Sequence, residues 1–300
     1  MIRCPACISN KFETYISIPV DYEYFVKRTK KANILKCLEC GSFYQNPWPT
    51  KNEAINFYPN DYQDYDDNSN LLLSLIARAS FKINAYLFTM KFGKDLKILD
   101  YGCGDGNFLS ALFNSGVKKV YGYEPHIRED NIALSSGVNI FSSLSYFKQK
   151  KIKFDIIRMN HVIEHLINYE EVFKEFKLLM NKDCKIIIQT PNTKTFTSRF
   201  FKNYWGALHY PYHTNIFSQN GIDKMSRRFG FILSDAYGSI MPTGWSMSIE
   251  NILKKLFKIN KRGRLPIYGL LVLLGLFISL FEYIISPKKT AVMNYILKRK

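Results

Sequence analysis

The segment ILDYGCGDGNFL, residues 98–109, constrains the fold of this chain more than any other part of its sequence. A short apolar run leads into three alternating glycines, Gly102, Gly104 and Gly106, and a helix-like apolar pattern follows. Glycines at a strand-to-helix turn let the backbone turn tightly and approach a ligand closely. The sequence therefore predicts a strand, a ligand-binding turn and a helix in direct succession.

Strand-like and helix-like patterns alternate beyond this segment. They are KVYGYEP, HIREDNIALSSG, VNIF, FDIIRMNHV, EEVFKEFKLLM, CKIIIQTPN, GIDKMSRRFG, FILSDAYG and TAVMNYILKRK. Such alternation is typical of a mostly parallel sheet with helices on both faces. We expect an α/β, Rossmann-like fold with a seven-stranded sheet. A further helix is predicted from Ser69 to Phe92, capped by Ser69 or Asn70, and a loop with a short helix at 51–68.

Four of the six cysteines form two CxxC pairs near the N-terminus, Cys4 with Cys7 and Cys37 with Cys40. Two such pairs place four thiolates around one tetrahedral zinc ion, and a site filled by four protein ligands is structural. Disulfides are the alternative, but the absence of a signal peptide and the metal-type spacing point to the cytoplasm. Aromatic and β-branched residues between the pairs predict a hairpin. They are Tyr15, Ile16, Ile18, Tyr22, Tyr24 and Phe25.

Two acidic residues flank the glycine turn, Asp100 before it and Glu124 at the end of the next strand. A carboxylate in the second position can accept hydrogen bonds from the ribose hydroxyls of an adenosine cofactor. A nicotinamide dinucleotide is the competitor, but Asn107 stands where its G-x-G-x-x-G fingerprint needs the third glycine. Asp100 would also repel a pyrophosphate and attract the ammonium and sulfonium groups of S-adenosylmethionine. The residues therefore favour S-adenosylmethionine.

The motifs ILDYGCGDG, YGYEP, FDIIRMNHVIEHL and IIIQTPN make residues 96–240 resemble the class I S-adenosylmethionine-dependent methyltransferases. The chain is similar in particular to members from bacterial surface-polysaccharide gene clusters. These share a CxxC…CxxCG front end running into NPWPT, an FYPNDY segment and a YPYHTNIFS loop. The resemblance implies methyl transfer and a set of cofactor-binding residues. They are Asp100, Gly102, Cys103, Gly104 and Gly106 at the methionine part, Glu124 with Pro125 at the ribose, and Asn160 near the methyl group.

Two histidines, His161 and His213, are the candidate catalytic residues. Methyl transfer from a sulfonium is an in-line displacement, and a hydroxyl acceptor also needs a base to remove its proton. Both histidines should follow strands at the edge of the sheet where open α/β folds bind ligands. A purely structural role in packing or capping is the alternative for each of them.

The stretch at residues 265–286, LPIYGLLVLLGLFISLFEYIIS, is strongly apolar, with Glu282 as its only charge. Its length could just span a bilayer. A single crossing would separate the final strand from its sheet, so we expect a helix or helical hairpin that lies on the domain or dips into one leaflet. Basic residues on both sides would suit an anionic membrane surface. A single span and a buried core or dimer helix are the alternatives.

These patterns divide the chain into five parts. They are a zinc-ribbon-like module at 1–50, a linker and helix at 51–95, the S-adenosylmethionine-binding core at 96–240, a basic and apolar helical insertion before the last strand at 241–287, and a final strand and tail at 288–300. The acceptor is expected to be a small molecule or lipid-linked, such as a sugar of a surface glycan. We expect a cytoplasmic protein with peripheral contact to the inner face of the membrane through 254–287.

The formal net charge of +17 favours anionic partners, although lysine is abundant throughout the chain. One alternative function is therefore a nucleic-acid methyltransferase. The basic residues do not cluster with aromatic residues in a known reader motif, which makes this acceptor less favoured. The other alternative is a catalytically inactive zinc-ribbon adaptor on a methyltransferase fold, which the intact Asp100, glycine turn and Glu124 oppose.

Overall fold

The computed structural model describes residues 2–58, 71–127 and 137–300. The predicted helix caps Ser69 and Asn70, most of the FYPNDY segment and most of the helix predicted at 126–137 lie outside these residues. So does the second half of the segment predicted as a loop with a short helix at 51–68.

Eleven strands occur within the described residues. They are β1 (Phe12–Ile16), β2 (Asn33–Cys37), β3 (Phe43–Asn46), β4 (Lys97–Tyr101), β5 (Lys119–Tyr123), β6 (Asn139–Phe141), β7 (Phe154–Asn160), β8 (Met180–Pro191), β9 (Asn215–Ile216), β10 (Phe231–Ser239) and β11 (Val292–Arg299).

Nine α-helices accompany these strands in the same part of the chain. They are α1 (Lys51–Ile55), α2 (Leu71–Phe92), α3 (Asn107–Asn114), α4 (Ser145–Gln149), α5 (Tyr169–Leu179), α6 (Phe196–Phe201), α7 (Gln219–Arg228), α8 (Thr243–Leu256) and α9 (Tyr268–Ile285).

Seven of the described strands form the main sheet in the order β10-β11-β8-β7-β4-β5-β6. Pairing is parallel from β8 through β6, and β11 is antiparallel to both of its neighbours. The final strand, β11, thus lies between the edge strand β10 and β8, the two strands of this sheet that most closely precede it in the chain. This confirms the predicted seven-stranded, mostly parallel architecture.

Helices cover both faces of the main sheet because its central strands are apolar on both sides. Ile98, Ile156 and Ile187 pack against α2 and α3 on one face. Their chain neighbours, such as Leu99 and Ile157, point to the other face and join α5 and α7. This alternation follows from the strand geometry, in which successive side chains lie on opposite faces.

The N-terminal module has its own four-stranded sheet, in the order β1-β2-β3-β9. The predicted hairpin is present, since β1 pairs antiparallel with β2. Tyr15 and Ile16 lie in it, but the other four residues predicted to form it lie in the connection between the strands. The sequence did not predict β9, a two-residue strand from the YPYHTNIFS loop that pairs with β3.

Further hydrogen bonds attach the N-terminal module to the core. Thr193 Oγ1 donates to the carbonyl of Gly41 at 2.9 Å, and Ser218 Oγ donates to the carbonyl of Cys40. Arg228 of α7 donates to the carbonyls of Pro5 and Ala6 at 2.7 and 2.8 Å. These side chains, which bind the module to the core, all come from the part of the chain after residue 190.

The apolar segment forms one helix, α9, and not a hairpin. One face of α9 packs on α8 and the preceding turn, where Ser279 Oγ donates to the carbonyl of Met241 at 2.9 Å. The strand before the insertion, β10, and the strand after it, β11, are neighbours in the main sheet. Among the described helices α9 alone has the length and composition to cross a membrane, but in this topology both of its ends return to one sheet.

Candidate functional site

The glycine turn between β4 and α3 lies at the edge where the parallel strands end. The backbone N–H groups of Gly102 and Cys103 donate to the carbonyl of Tyr123, the last residue of β5, at 2.7 and 3.1 Å. Gly102, Gly104 and Gly106 all adopt left-handed backbone, with φ of 76°, 53° and 73°. Other residues adopt this conformation only at a cost, so the shape of the turn depends on glycine.

One side of the turn is closely packed and the other is open. A Cβ atom on Gly102 would lie 2.5 Å from Val162 Cγ2, and one on Gly122 would lie 2.6 Å from Cys103 Sγ. A Cβ atom on Gly104 would meet nothing within 4 Å. The backbone at Gly104 is thus exposed to an approaching ligand, whereas Cys103 is pressed onto β5.

Glu124 lies directly beside the open part of the turn. Its carboxylate accepts hydrogen bonds from the backbone N–H of Gly104 at 3.1 Å and of His126 at 3.2 Å. Each carboxylate oxygen can accept a second hydrogen bond, which leaves capacity for two ligand hydroxyls. Pro125, the next residue, is exposed. The structure therefore brings Gly104, Glu124 and Pro125 together, as expected for the predicted cofactor site.

Asp100 has a partner that the sequence did not predict. Its carboxylate is 2% exposed and accepts two hydrogen bonds from Arg158 Nη1, at 2.9 and 3.0 Å. Burial raises the pKa of Asp100 above its ordinary value, and Arg158 opposes part of that rise. The charge of Asp100 is thus already balanced within the protein. Its predicted contact with the ammonium group of a cofactor requires it to share its oxygens with Arg158.

Asn160 ends β7 at the same edge, and His161 follows it directly. The Oδ1 atom of Asn160 is buried and has no hydrogen-bond partner within the described residues. His161 has left-handed backbone, with φ of 54°, and its Nδ1 lies 3.0 Å from Glu164 Oε1. The unpaired amide oxygen of Asn160 indicates that a ligand group is needed here, since buried polar atoms are otherwise paired.

Glu164 organises the residues around it although it is completely buried. Its second oxygen, Oε2, accepts a hydrogen bond from Thr190 Oγ1 at 2.9 Å. Burial alone would raise the pKa of Glu164, but the hydrogen bond and charge of His161 lower it below its ordinary value. Glu164 is therefore an anion at neutral pH, and it favours the tautomer of His161 that carries its proton on Nδ1.

His213, from the YPYHTNIFS loop, lies on the other side of Glu164. It is 8% exposed, and its Nδ1 donates to the carbonyl of Ala207 at 2.8 Å. Burial, together with His165 and His209 nearby, lowers the pKa of His213 well below its ordinary value. His213 is therefore a neutral imidazole with Nε2 as its acceptor atom. The structure brings both candidate catalytic histidines next to one buried carboxylate.

Sequence reasoning missed Arg158 and Glu164 as parts of the site. Arg158 is the one cation inside the strand-like run FDIIRMN, which was a signal for a buried charge partner. Glu164 follows His161 by three residues, a spacing at which side chains can meet on a helical turn. His165, the residue after Glu164, lies against His213 with 4.7 Å between ring centroids.

The four cysteines of the two CxxC pairs converge as predicted. Cys4 Sγ lies 3.7 Å from Cys40 Sγ, and Cys7 Sγ lies 3.5 Å from Cys37 Sγ. Four sulfurs bound to one tetrahedral zinc at about 2.3 Å lie roughly 3.8 Å apart, whereas a disulfide requires about 2.0 Å. All six cysteines are free thiols. The donor set and its spacing fit a structural zinc ion and exclude the disulfide alternative in this structure.

Several solved structures resemble the chain. A SAM-dependent methyltransferase from Archaeoglobus fulgidus is 20% identical, with 74% of this chain and 94% of that chain covered and a TM-score of 0.46. A 1,6-didemethyltoxoflavin-N1-methyltransferase from Burkholderia thailandensis, with bound 1,6-didemethyltoxoflavin and S-adenosylhomocysteine, is 11% identical, with 93% and 99% covered and a TM-score of 0.49. No curated protein matches. A family model described as a methyltransferase domain matches residues 67–234, more than half of the chain.

The cysteine cluster predicts one zinc ion per chain. Replacing Cys37 by serine removes one of four thiolate ligands, so we expect zinc to be lost almost completely from the purified protein. Elemental analysis by mass spectrometry measures the zinc content. The Cys103→Ser variant is the matched control and should retain the zinc of the parent protein. Equal zinc contents in both variants, or none in the parent protein, would show that the cluster holds no zinc.

Proposed function

The chain belongs to the methyltransferase-domain family, and from this premise we propose that it transfers a methyl group from S-adenosylmethionine to a hydroxyl group of a small-molecule or lipid-linked acceptor. The single observation that carries the proposal is the glycine turn, with its left-handed backbone and its open side at Gly104 beside Glu124. This arrangement supports a cofactor with an adenosine part, because the carboxylate of Glu124 can accept hydrogen bonds from both ribose hydroxyls.

S-adenosylmethionine would be held along the edge of the sheet. Glu124 with Pro125 would contact the ribose, and the turn from Asp100 to Gly106 would hold the methionine part. The unpaired Oδ1 of Asn160 would face the cofactor near its methyl group. When bound, the cofactor supplies an electrophilic methyl group on sulfur.

His161 is the proposed general base. Glu164 accepts a hydrogen bond from the protonated Nδ1 of His161. The Nε2 atom of His161 is therefore available to take a proton from an acceptor hydroxyl. This is the arrangement in which a carboxylate orients an imidazole and stabilises the imidazolium that forms. Thr190 holds the other oxygen of Glu164 and keeps the carboxylate in place. Glu164 is thus a positioning residue in this proposal.

A sugar of a surface glycan is the acceptor class that we favour, by resemblance to methyltransferases with the same N-terminal cysteine module. The two histidines and the buried carboxylate of the site suit a hydroxyl acceptor. A nucleic acid is the competing acceptor, and an inactive adaptor would transfer no methyl group to any acceptor.

Incubation with tritium-labelled S-adenosylmethionine and separate pools of nucleotide sugars, polyprenyl-linked sugars and RNA tests the proposal. We expect label in one of the sugar pools. The His161→Asn variant, which keeps a residue tolerant of left-handed backbone, should transfer methyl groups about 10²–10⁴-fold more slowly because its base is missing. S-adenosylmethionine binding should be unchanged.

The exposed His126 provides the matched control, since His126→Asn should transfer methyl groups at the parent rate. Label in RNA alone would favour the nucleic-acid methyltransferase. Binding of the cofactor without label in any pool would favour the inactive adaptor. Equal rates for His161→Asn and His126→Asn would remove His161 from the mechanism.

We also propose that the insertion at 254–287 contacts the membrane surface peripherally. Exposed apolar residues recur along one face of α9, opposite the face that packs on α8. They are Leu270, Leu273, Leu274, Phe277, Leu280, Phe281 and Ile284. Exposed Lys255, Lys258 and Lys261 precede this face, and Lys288 and Lys289 follow it. An apolar face with basic flanks is the pattern of a helix that lies in the interface of an anionic membrane.

Two of the basic residues predicted for this surface serve the interior of the protein. Lys254 is 2% exposed and donates to the carbonyls of Tyr22 and Gly263. Arg264 forms ion pairs with Glu23 and Glu250 at 3.1 Å. The proposed surface therefore relies on the remaining lysines.

Co-sedimentation with phosphatidylglycerol vesicles tests the surface. Phe277→Glu should weaken binding roughly tenfold or more, since burying one phenylalanine contributes ~1.5–3 kcal/mol. Met90→Glu on α2 is the matched control, because Met90 is 71% exposed and Phe277 is 73% exposed. Equal binding of the two variants, or no binding by the parent protein, would contradict a membrane role for α9.

A further inference from the structure

We propose that Glu164, His165 and His213 form a binding site for a divalent first-row transition-metal cation, separate from the four-cysteine site. One potential ligand atom of each residue lies within 4.8 Å of those of the other two. Ligands of one cation at bond lengths of about 2.1 Å lie roughly 3–4 Å apart, so side-chain movements of an ångström or less complete the set. The site lies at the edge of the sheet where β7 ends.

Each of the three proposed ligands is oriented by a further hydrogen bond, as is usual for metal ligands. His213 Nδ1 donates to the carbonyl of Ala207 at 2.8 Å, which directs Nε2 toward the proposed cation. His165 Nδ1 lies 3.1 Å from the hydroxyl of Tyr58. Glu164 accepts hydrogen bonds from Thr190 and His161, and each of its oxygens retains a second lone pair.

Burial and charge also favour a cation at this place. Glu164 is 0% exposed, and the imidazoles of His161, His165 and His213 lie beside it. The main chain of Glu164 is held as well, because its carbonyl accepts from the N–H of Thr214 at 2.8 Å and from Thr214 Oγ1 at 3.1 Å. A buried carboxylate fixed among imidazoles gains from a divalent cation, which brings its own charge to the site.

The donor set indicates which cations the site would select. Two imidazoles and one carboxylate suit Mn²⁺, Fe²⁺, Co²⁺ or Zn²⁺, whereas Mg²⁺ and Ca²⁺ prefer all-oxygen ligands. Three protein ligands leave coordination positions open for other oxygens. The four-cysteine site, by contrast, has four thiolates and no open position.

The role of this cation rests on the proposed function, since its open positions would take hydroxyl oxygens of the acceptor. A bound cation lowers the pKa of a hydroxyl and fixes its position. His161, which lies beside Glu164, would then receive the proton. An acceptor with two adjacent hydroxyls, as in many sugars, could occupy two of the open positions at once.

Titration with Mn²⁺ of protein that holds one zinc ion per chain, followed by electron paramagnetic resonance of the free ion, tests the site. Calorimetric titration with Co²⁺ repeats the test with a cation that binds imidazole more strongly. Neither cation competes well for a thiolate site filled with zinc. We expect the parent protein to bind one further cation per chain. The His213→Ala variant should bind it about 10–100-fold more weakly, and so should His165→Ala, in which the substituted residue is less buried.

His126→Ala serves as the matched control and should bind the cation as the parent protein does. Binding of S-adenosylmethionine, measured without added cation, reports whether each variant is folded and separates the two proposals. Loss of cofactor binding alone would overturn the proposed function but not the cation site. Absence of both Mn²⁺ and Co²⁺ binding in the parent protein would overturn the cation site, as would parent-like affinity in folded His165→Ala.

Discussion

The left-handed turn after β4 is the constraint on which the functional edge of the protein depends. Three glycines in left-handed backbone allow the chain to fold back over β5 and donate two N–H groups to the carbonyl of Tyr123. A side chain at Gly102 or Gly122 would enter space already filled by Val162 or Cys103. The turn thus packs against the sheet on one side. Its other side, at Gly104, stays open, and Glu124 lies beside it. The proposed position of the cofactor follows from this packing.

Glu164 connects this edge with the rest of the molecule. Its side chain orients His161, and its main-chain carbonyl holds Thr214, which lies between His213 and β9. β9 is also the fourth strand of the N-terminal sheet, and buried Gln45 of β3 donates to the carbonyl of His213 at 2.8 Å. The N-terminal module therefore supports the loop that carries His213. The module that carries the cysteine cluster thus helps to hold this loop at the edge of the sheet.

The sequence was informative where structure follows from local pattern. Alternating apolar strands and helices predicted the seven-stranded sheet, and the CxxC spacing predicted that four sulfurs would converge. Long-range pairings could not be read in this way. Arg158 pairs with Asp100 across neighbouring strands. The strand β9 is only two residues long and pairs with β3 across a long stretch of chain, since Asn215 pairs with Tyr44. Such contacts depend on the completed fold, so the chain pattern around them carries little signal.

Binding of S-adenosylmethionine is the most direct test of the central claim, with NAD as a parallel ligand in the same calorimetric titration. Gly104→Ala and Gly93→Ala form a matched pair, because both glycines are left-handed and neither Cβ would meet an atom within 4 Å. The account predicts saturable binding of S-adenosylmethionine and not of NAD, weakened by Gly104→Ala and unchanged by Gly93→Ala. Binding of NAD in place of S-adenosylmethionine, or equal affinities of the two variants, would contradict it.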